Sequence, residues 1–163
     1  MTLLTALCSL TATASNGVNL DSLYRVLDAA IDSSAIYVKQ KEDRINALKD
    51  DLRRARDDRE RYDYAERIYQ EYTPTDNDSA IAYQYLCLNL AERMGREDLH
   101  HKAGISLAYQ LGNSGFYNEA RIHYGKVDPS RLEEGLREQY LIGENNLYGE
   151  MAYYTQDTVL KAE

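Results

Sequence analysis

A chain of 163 residues is long enough for one domain with a real core, and 44% hydrophobic content excludes a chain disordered by composition. A formal net charge of −8 argues against a nucleic-acid-binding module, which carries a basic footprint. Fifteen Tyr against one Phe and no Trp suit half-buried grooves between helices, because tyrosine joins an apolar face to a hydroxyl that wants a partner.

The first stretch, "MTLLTALCSLTATAS", is apolar, small and uncharged. It ends in Ala12-Thr13-Ala14, the small-residue pattern of a signal-peptidase site cleaving before Ser15. Residues 1–14 are therefore expected to be a signal peptide and the mature protein to be exported, periplasmic or envelope-associated; the competing reading is a buried cytosolic helix start. No Lys or Arg precedes the leucines, which points to a start placed late or a true N-terminus that is absent. A lipid anchor on Cys8 is disfavoured by the bulky Leu7 before it. After cleavage only Cys87 would remain, so no intramolecular disulfide is expected.

From Asn19 onward a helical period is plain. Leu20, Leu23, Leu27 and Ala30 form one stripe, with Asn19 as N-cap. A second helix is expected from about Ser34 to Arg56, with Val38, Ile45, Leu48, Leu52 and Ala55 on one face. Its apolar seam is too short to identify a coiled coil. Residues 15–56 thus read as a helical lead-in or cap. Lys39 to Arg67 holds ten basic and nine acidic side chains, so the acidity of the protein lies elsewhere, mainly on the C-terminal side.

A third helix starts near Asp57, which has capping-box spacing with Glu60, and carries Tyr62, Ala65, Tyr69 and Tyr72 on one stripe. "TPTDND" then breaks the chain, and Asp76 or Asp78 caps a fourth helix with the stripe Ala80, Tyr83, Cys87, Leu90 and Met94. Gly95 ends it. A fifth covers about Glu97 to Asn113, with Ala103, Leu107 and Leu111 inward. "GFYNEARIHYGKVDP", Gly115 to Pro129, holds the sixth. After Pro129, "SRLE" is a capping box for a long seventh helix carrying Leu132, Leu136, Tyr140, Leu147, Met151 and Tyr154. No strand competes. Loops of two to six residues make consecutive helices antiparallel neighbours. The fold class is all-α, antiparallel helix pairs stacked as a short α-solenoid.

The stretch from Gly115 to Pro129 resembles the tetratricopeptide repeat (TPR), a helix-turn-helix unit of about 34 residues. Leu107 and Ala108 match the Leu-Gly of its first helix, Gly115 the turn glycine, Ala120 the small residue of its second helix, and Tyr124 the aromatic four residues on. Pro129 comes early for the terminal proline, and Gly104 stands where an aromatic is usual. Ala80 precedes Ala120 by 40 residues, and "LYGEMAYYTQD" looks like the first helix of a further repeat. The resemblance covers divergent repeats over residues 57–157, leaving 158–163 as the end of the stretch.

The chain, from "LDSLYRVLDAAIDSS" through "RINALKDDLRRA" to "GEMAYYT", is also similar to the N-terminal region of a family of Gram-negative envelope proteins. In that family an exported TPR-type region precedes a membrane helix and a cytoplasmic DNA-binding end. The resemblance implies a sensor or scaffold part of an envelope regulator, contacting a membrane only through a C-terminal part beyond this sequence.

No catalytic constellation emerges. "GNSGF", Gly112 to Phe116, lacks the final glycine and preceding strand of a hydrolase elbow. His100 and His101 are about 100° apart on a helix and cannot share a metal as residues four apart would. His123 reads as partly buried packing. "DNDSA", Asp76 to Ala80, lacks a calcium loop's ligand spacing. The expectation is a non-enzyme without cofactor or metal, holding a protein or peptide partner. The TPR resemblance implies a groove lined by the first helix of each pair: Tyr62, Tyr69 and Tyr72; then Lys102, Tyr109 and Asn113; then Asn146, Glu150 and Tyr153. Each tyrosine is equally readable as inter-helix packing. Two other readings stay open: a helical spacer or self-associating scaffold using the charged Lys39 to Arg67 surface, and an enzyme whose chemistry lies in a further C-terminal part.

Overall fold

The computed structural model describes residues 19–154, so the expected signal peptide lies outside the described residues. Six α-helices make up the described chain: α1 Leu20–Arg54, α2 Asp58–Tyr72, α3 Asn77–Arg93, α4 Glu97–Asn113, α5 Tyr117–Tyr124 and α6 Glu134–Tyr154. A 3-10 turn, Pro129–Arg131, precedes α6. Among the described residues there is no strand. The described chain divides into two units, one ending at Gln40 and the other beginning at Lys41.

Where a break between two helices was expected near Ser33 and Ser34, one helix of 35 residues runs through. Neither Gly nor Pro occurs within it, and the Ser33 hydroxyl donates to the Ala30 carbonyl at 3.0 Å. That local bond satisfies the side chain without opening the helix. In the first unit the apolar side chains of α1 are exposed.

The second unit holds the core. Its helices begin and end where local chemistry dictates. Asp57 accepts from the Glu60 amide at 2.8 Å, while the Glu60 carboxylate accepts from the Arg56 amide at 2.7 Å. Asp76, not Asp78, caps α3, accepting from the Ser79 amide at 3.0 Å and its hydroxyl at 2.7 Å. α3 and α4 both stop in Schellman geometry. Gly95 (φ 63°) and Gly115 (φ 83°) supply the left-handed residue, and Arg96 and Phe116 donate back to the carbonyls of Ala91 and Leu111. A side chain at either glycine would be strained.

Two clusters form the interior. Tyr62, Ala65, Cys87, Leu90, Ala91, Leu99 and Ala103 join α2, α3 and α4. Leu107, Ala108, Leu111, Ala120, Tyr124, Tyr140 and Leu147 join α4, α5 and α6. The central helix α4 gives Leu99 and Ala103 to one and its later turns to the other. Each cluster is made by successive helices, which is how a solenoid builds a core. At the crossing of α4 with α5, Leu107, Ala108 and Ala120 are fully buried.

Three packing expectations are corrected. On α2 the buried set is Tyr62, Ala65 and Ile68, one step round from the stripe that included Tyr69 and Tyr72. On α3 Gln84 is buried as well, while Tyr83, partly buried against the α2–α3–α4 cluster, stacks on Tyr72 at 6.0 Å. The "SRLE" capping box does not form. Asp128 takes both the amide and the hydroxyl of Ser130, closing the 3-10 turn, and α6 begins only at Glu134. Leu132 remains buried ahead of the helix, and Tyr154 at its end is exposed.

Candidate functional site

The inner side chains of α2, α4 and α6 converge on an open trough of about 320 Å³, lined by Tyr69, Ile105, Ser106, Tyr109, Gln139, Ile142 and Gly143. α2 gives Tyr69 because Ile68 faces the core, and adjacent helical residues point about 100° apart. Burial raises the pKa of the Tyr69 hydroxyl, while the hydroxyls of Thr73 and Ser106 oppose that shift. Tyr109 and Ile142 are 41% and 54% exposed. Beyond Tyr109 and Gly143 lies a notch whose walls include Gly112, Asn113, Asn146, Leu147 and Glu150. The result is an apolar floor, aromatic walls, and amide and carboxylate groups at one end.

Under Gly143 sits Tyr124. Its side chain is buried, its ring meets Tyr140 edge-on at 5.3 Å, and its hydroxyl has no hydrogen-bond partner among the described residues. Burial raises its pKa, with Glu144 and Tyr109 adding to the shift. The hydroxyl stays neutral, and it is the packing of the ring against Tyr140 that ties α5 to α6.

Of the nine residues expected in a groove, the fold brings five together: Tyr69 and Tyr109 in the trough, and Asn113, Asn146 and Glu150 in the adjoining notch. Tyr62 is core instead. It is 1% exposed, and its hydroxyl donates to the Leu99 carbonyl at 3.4 Å. Tyr72 is turned toward α1 and α3, stacked on Tyr83, with Lys49 donating to its hydroxyl at 2.8 Å. Lys102 is ion-paired with Glu66 in a separate cleft. Tyr153 lies beyond the notch, exposed, its ring against Tyr154 at 5.0 Å. Ile105, Ser106, Gln139, Ile142 and Gly143 were not anticipated. Their only signal was position, since Gln139, Ile142, Gly143, Asn146 and Glu150 follow a helical period along α6.

Two larger clefts have charged walls in which several of the charges are already paired. The cleft of about 460 Å³ holding Lys102 contains that lysine's pair with Glu66 and an Arg131–Glu97 pair at 3.3 Å. The one of about 550 Å³ beside α1 and α2 contains Arg44 paired with Glu71 at 3.2 Å and Lys41 donating to Thr75 at 2.6 Å. The trough, with the more apolar lining, is the better candidate for a partner's side chains.

Among the described residues no three His, Cys, Asp or Glu are grouped to hold a metal. Cys87 is buried, and burial pushes its thiol up to about 12, so its reactive thiolate is suppressed. Among the described residues no helix is long and apolar enough to cross a membrane.

Helix pairs, a small residue at the crossing, and an inner face made by the first helix of each pair describe a tetratricopeptide architecture. The family model for the SusR N-terminal TPR domain matches residues 31–163. The chain belongs to this family. No curated protein and no solved structure matches it. As a SusR-type TPR domain it is a helical-repeat scaffold, a class that generally mediates protein–protein interactions and is generally non-catalytic. α2 with α3 and α4 with α5 are successive helix pairs, and α6 opens the next.

Proposed function

We propose that the trough between α2, α4 and α6 binds an extended segment of a protein partner, without catalysis, as the sensing or scaffold part of an exported envelope regulator. The observation that carries this reading is the placement of Tyr69, Tyr109 and Ile142 around one concavity, two of them substantially exposed. Rigid aromatic side chains with a polar tip are strong anchors at low entropic cost. Asn113, Asn146 and Glu150 at one end supply hydrogen-bonding groups that fit an extended backbone. Membership in a TPR family supports a protein as the ligand, and the apolar, small-residue start of the sequence supports export.

The test starts from a partner captured from envelope extract by the wild-type domain, then identified and purified. Its affinity is measured by calorimetry against wild type and the Tyr69→Ala/Tyr109→Ala variant. Each anchor should contribute about 2 kcal/mol or more, with helical content by circular dichroism unchanged. Undiminished binding by the folded variant would move the partner to another surface, such as the charged face of Lys39 to Arg67.

A further inference from the structure

The exposed half of α1 has a periodicity that the rest of the fold does not use. Leu20, Tyr24, Leu27, Ile31, Ser34 and Val38 are spaced four, three, four, three and four, a heptad seam with Tyr24, Ile31 and Val38 at a and Leu20, Leu27 and Ser34 at d. All five large residues of the seam are more than half exposed. The seam continues in register to Lys41, Ile45 and Leu48. There, within the second unit, Ile45 and Leu48 are buried and Lys41 hydrogen-bonds Thr75. An apolar face this long, left open, is a binding surface.

We propose that residues 20–38 of α1 pair in parallel with the same segment of a second copy, as a two-stranded coiled coil. Three features select that occupant. β-branched residues at a (Ile31, Val38) with Leu at d (Leu20, Leu27) favour two parallel strands. The flanks agree: in parallel register Leu23 meets the partner copy's Asp28, Ala30 its Ala35, and Tyr37 its Glu42, with no like charges opposed. An antiparallel pair centred on this stretch would set Asp28 near its own symmetry mate, a repulsive contact. The extent also fits. About 19 helical residues span roughly 28 Å, and covering the seam and its flanks would remove on the order of 700 Å² per copy, close to the ~800 Å² per partner of a stable interface. This inference does not rest on the trough.

The experiment uses the full chain with Cys8→Ser. Sedimentation equilibrium should give a reversible dimer, and Leu27→Glu/Ile31→Glu should be monomeric throughout the same concentration range. Because both substituted positions are exposed, the thermal unfolding of the second unit should not move, which separates loss of pairing from loss of fold. Ile31→Cys should cross-link to itself on mild oxidation, and Ala29→Cys, on the opposite face, should not. A monomeric parent protein, a dimer that survives the double glutamate variant, an open-ended series of oligomers, or equal cross-linking at positions 29 and 31 would each overturn the proposal.

Discussion

A Cβ placed on Gly143 would fall inside the hydroxyl of Tyr124. The helix α6 can approach α5 only because position 143 has no side chain, and the buried tyrosine fills the space. Gly143→Ala should therefore destabilise the protein by about 1–3 kcal/mol through overpacking, despite alanine's better helix propensity. Six residues on, a Cβ at Gly149 meets nothing within 4 Å. There the same substitution should stabilise by about 0.5–1 kcal/mol, the ordinary gain of Ala over Gly in a helix. Opposite shifts of the two thermal melts are expected. Shifts of the same sign would mean that α6 does not lie on Tyr124 as described.

The tyrosines divide into core and groove, and stability measurements should separate them. Tyr62 is enclosed by α2, α3 and α4, so Tyr62→Ala leaves a large cavity and should cost about 3–5 kcal/mol. Tyr109, 41% exposed, should cost well under half of that when cut to Ala. Equal costs in urea denaturation would place Tyr109 in the core and remove it from the trough.

Ala120→Leu tests the repeat itself. Ala120 is completely buried, and Gly112 across the crossing would bring a Cβ to 3.9 Å of its methyl. Three added carbons have nowhere to go, and a loss of about 1–3 kcal/mol is expected. An unchanged melt would contradict the close crossing of α4 and α5.

That crossing was legible in the sequence because Leu107, Ala108, Gly115, Ala120 and Tyr124 are chemically forced: one φ only glycine tolerates, one contact only a small side chain permits. α4 also matches its expected bounds, since Gly95 and Gly115 punctuate it. The groove was legible only in part. On α2, Ile68 and Tyr69 are adjacent and both apolar, so a period of 3.6 cannot decide which faces inward. The tertiary contacts with α3 decide it. At Gln84 the burial of a polar amide overrides the usual outward preference, which the apolar stripe through Tyr83 and Cys87 does not reveal. At Ser130 a side-chain competition hidden from the capping-box pattern, Asp128 taking both donors of Ser130, delays α6 by a turn. The run through Ser33 and Ser34 is not legible from the two apolar stripes on either side of it, which read as separate helices, whereas Ser33 bonds back to its own helix.

The last prediction concerns pH. All three histidines of the chain (His100, His101 and His123) line one small recess with Leu88, Gly104, Lys126 and Val127 between α3, α4 and α5. His123 has its pKa lowered by burial first, then by the charge of Lys126 and the proximity of His100. The ring of Tyr85 meets it edge-on at 6.0 Å, so α3 offers it no counter-charge there. On α4 the nearby carboxylate, Glu97, lies 3.9 Å from His101 and 3.3 Å from Arg131. A histidine whose folded pKa lies below its unfolded value near 6.5 binds fewer protons folded than unfolded. Stability is therefore full above about pH 6.5 and is lost as pH falls from there through the folded pKa of His123. His123→Gln should flatten the dependence of urea-unfolding free energy on pH in that interval while leaving the acid limb governed by carboxylates in place. The acid limb includes Asp98, which Arg96 holds down to about 2. A variant that keeps the full slope between pH about 6.5 and the carboxylate range would show that protonation of His123 is not what the fold resists.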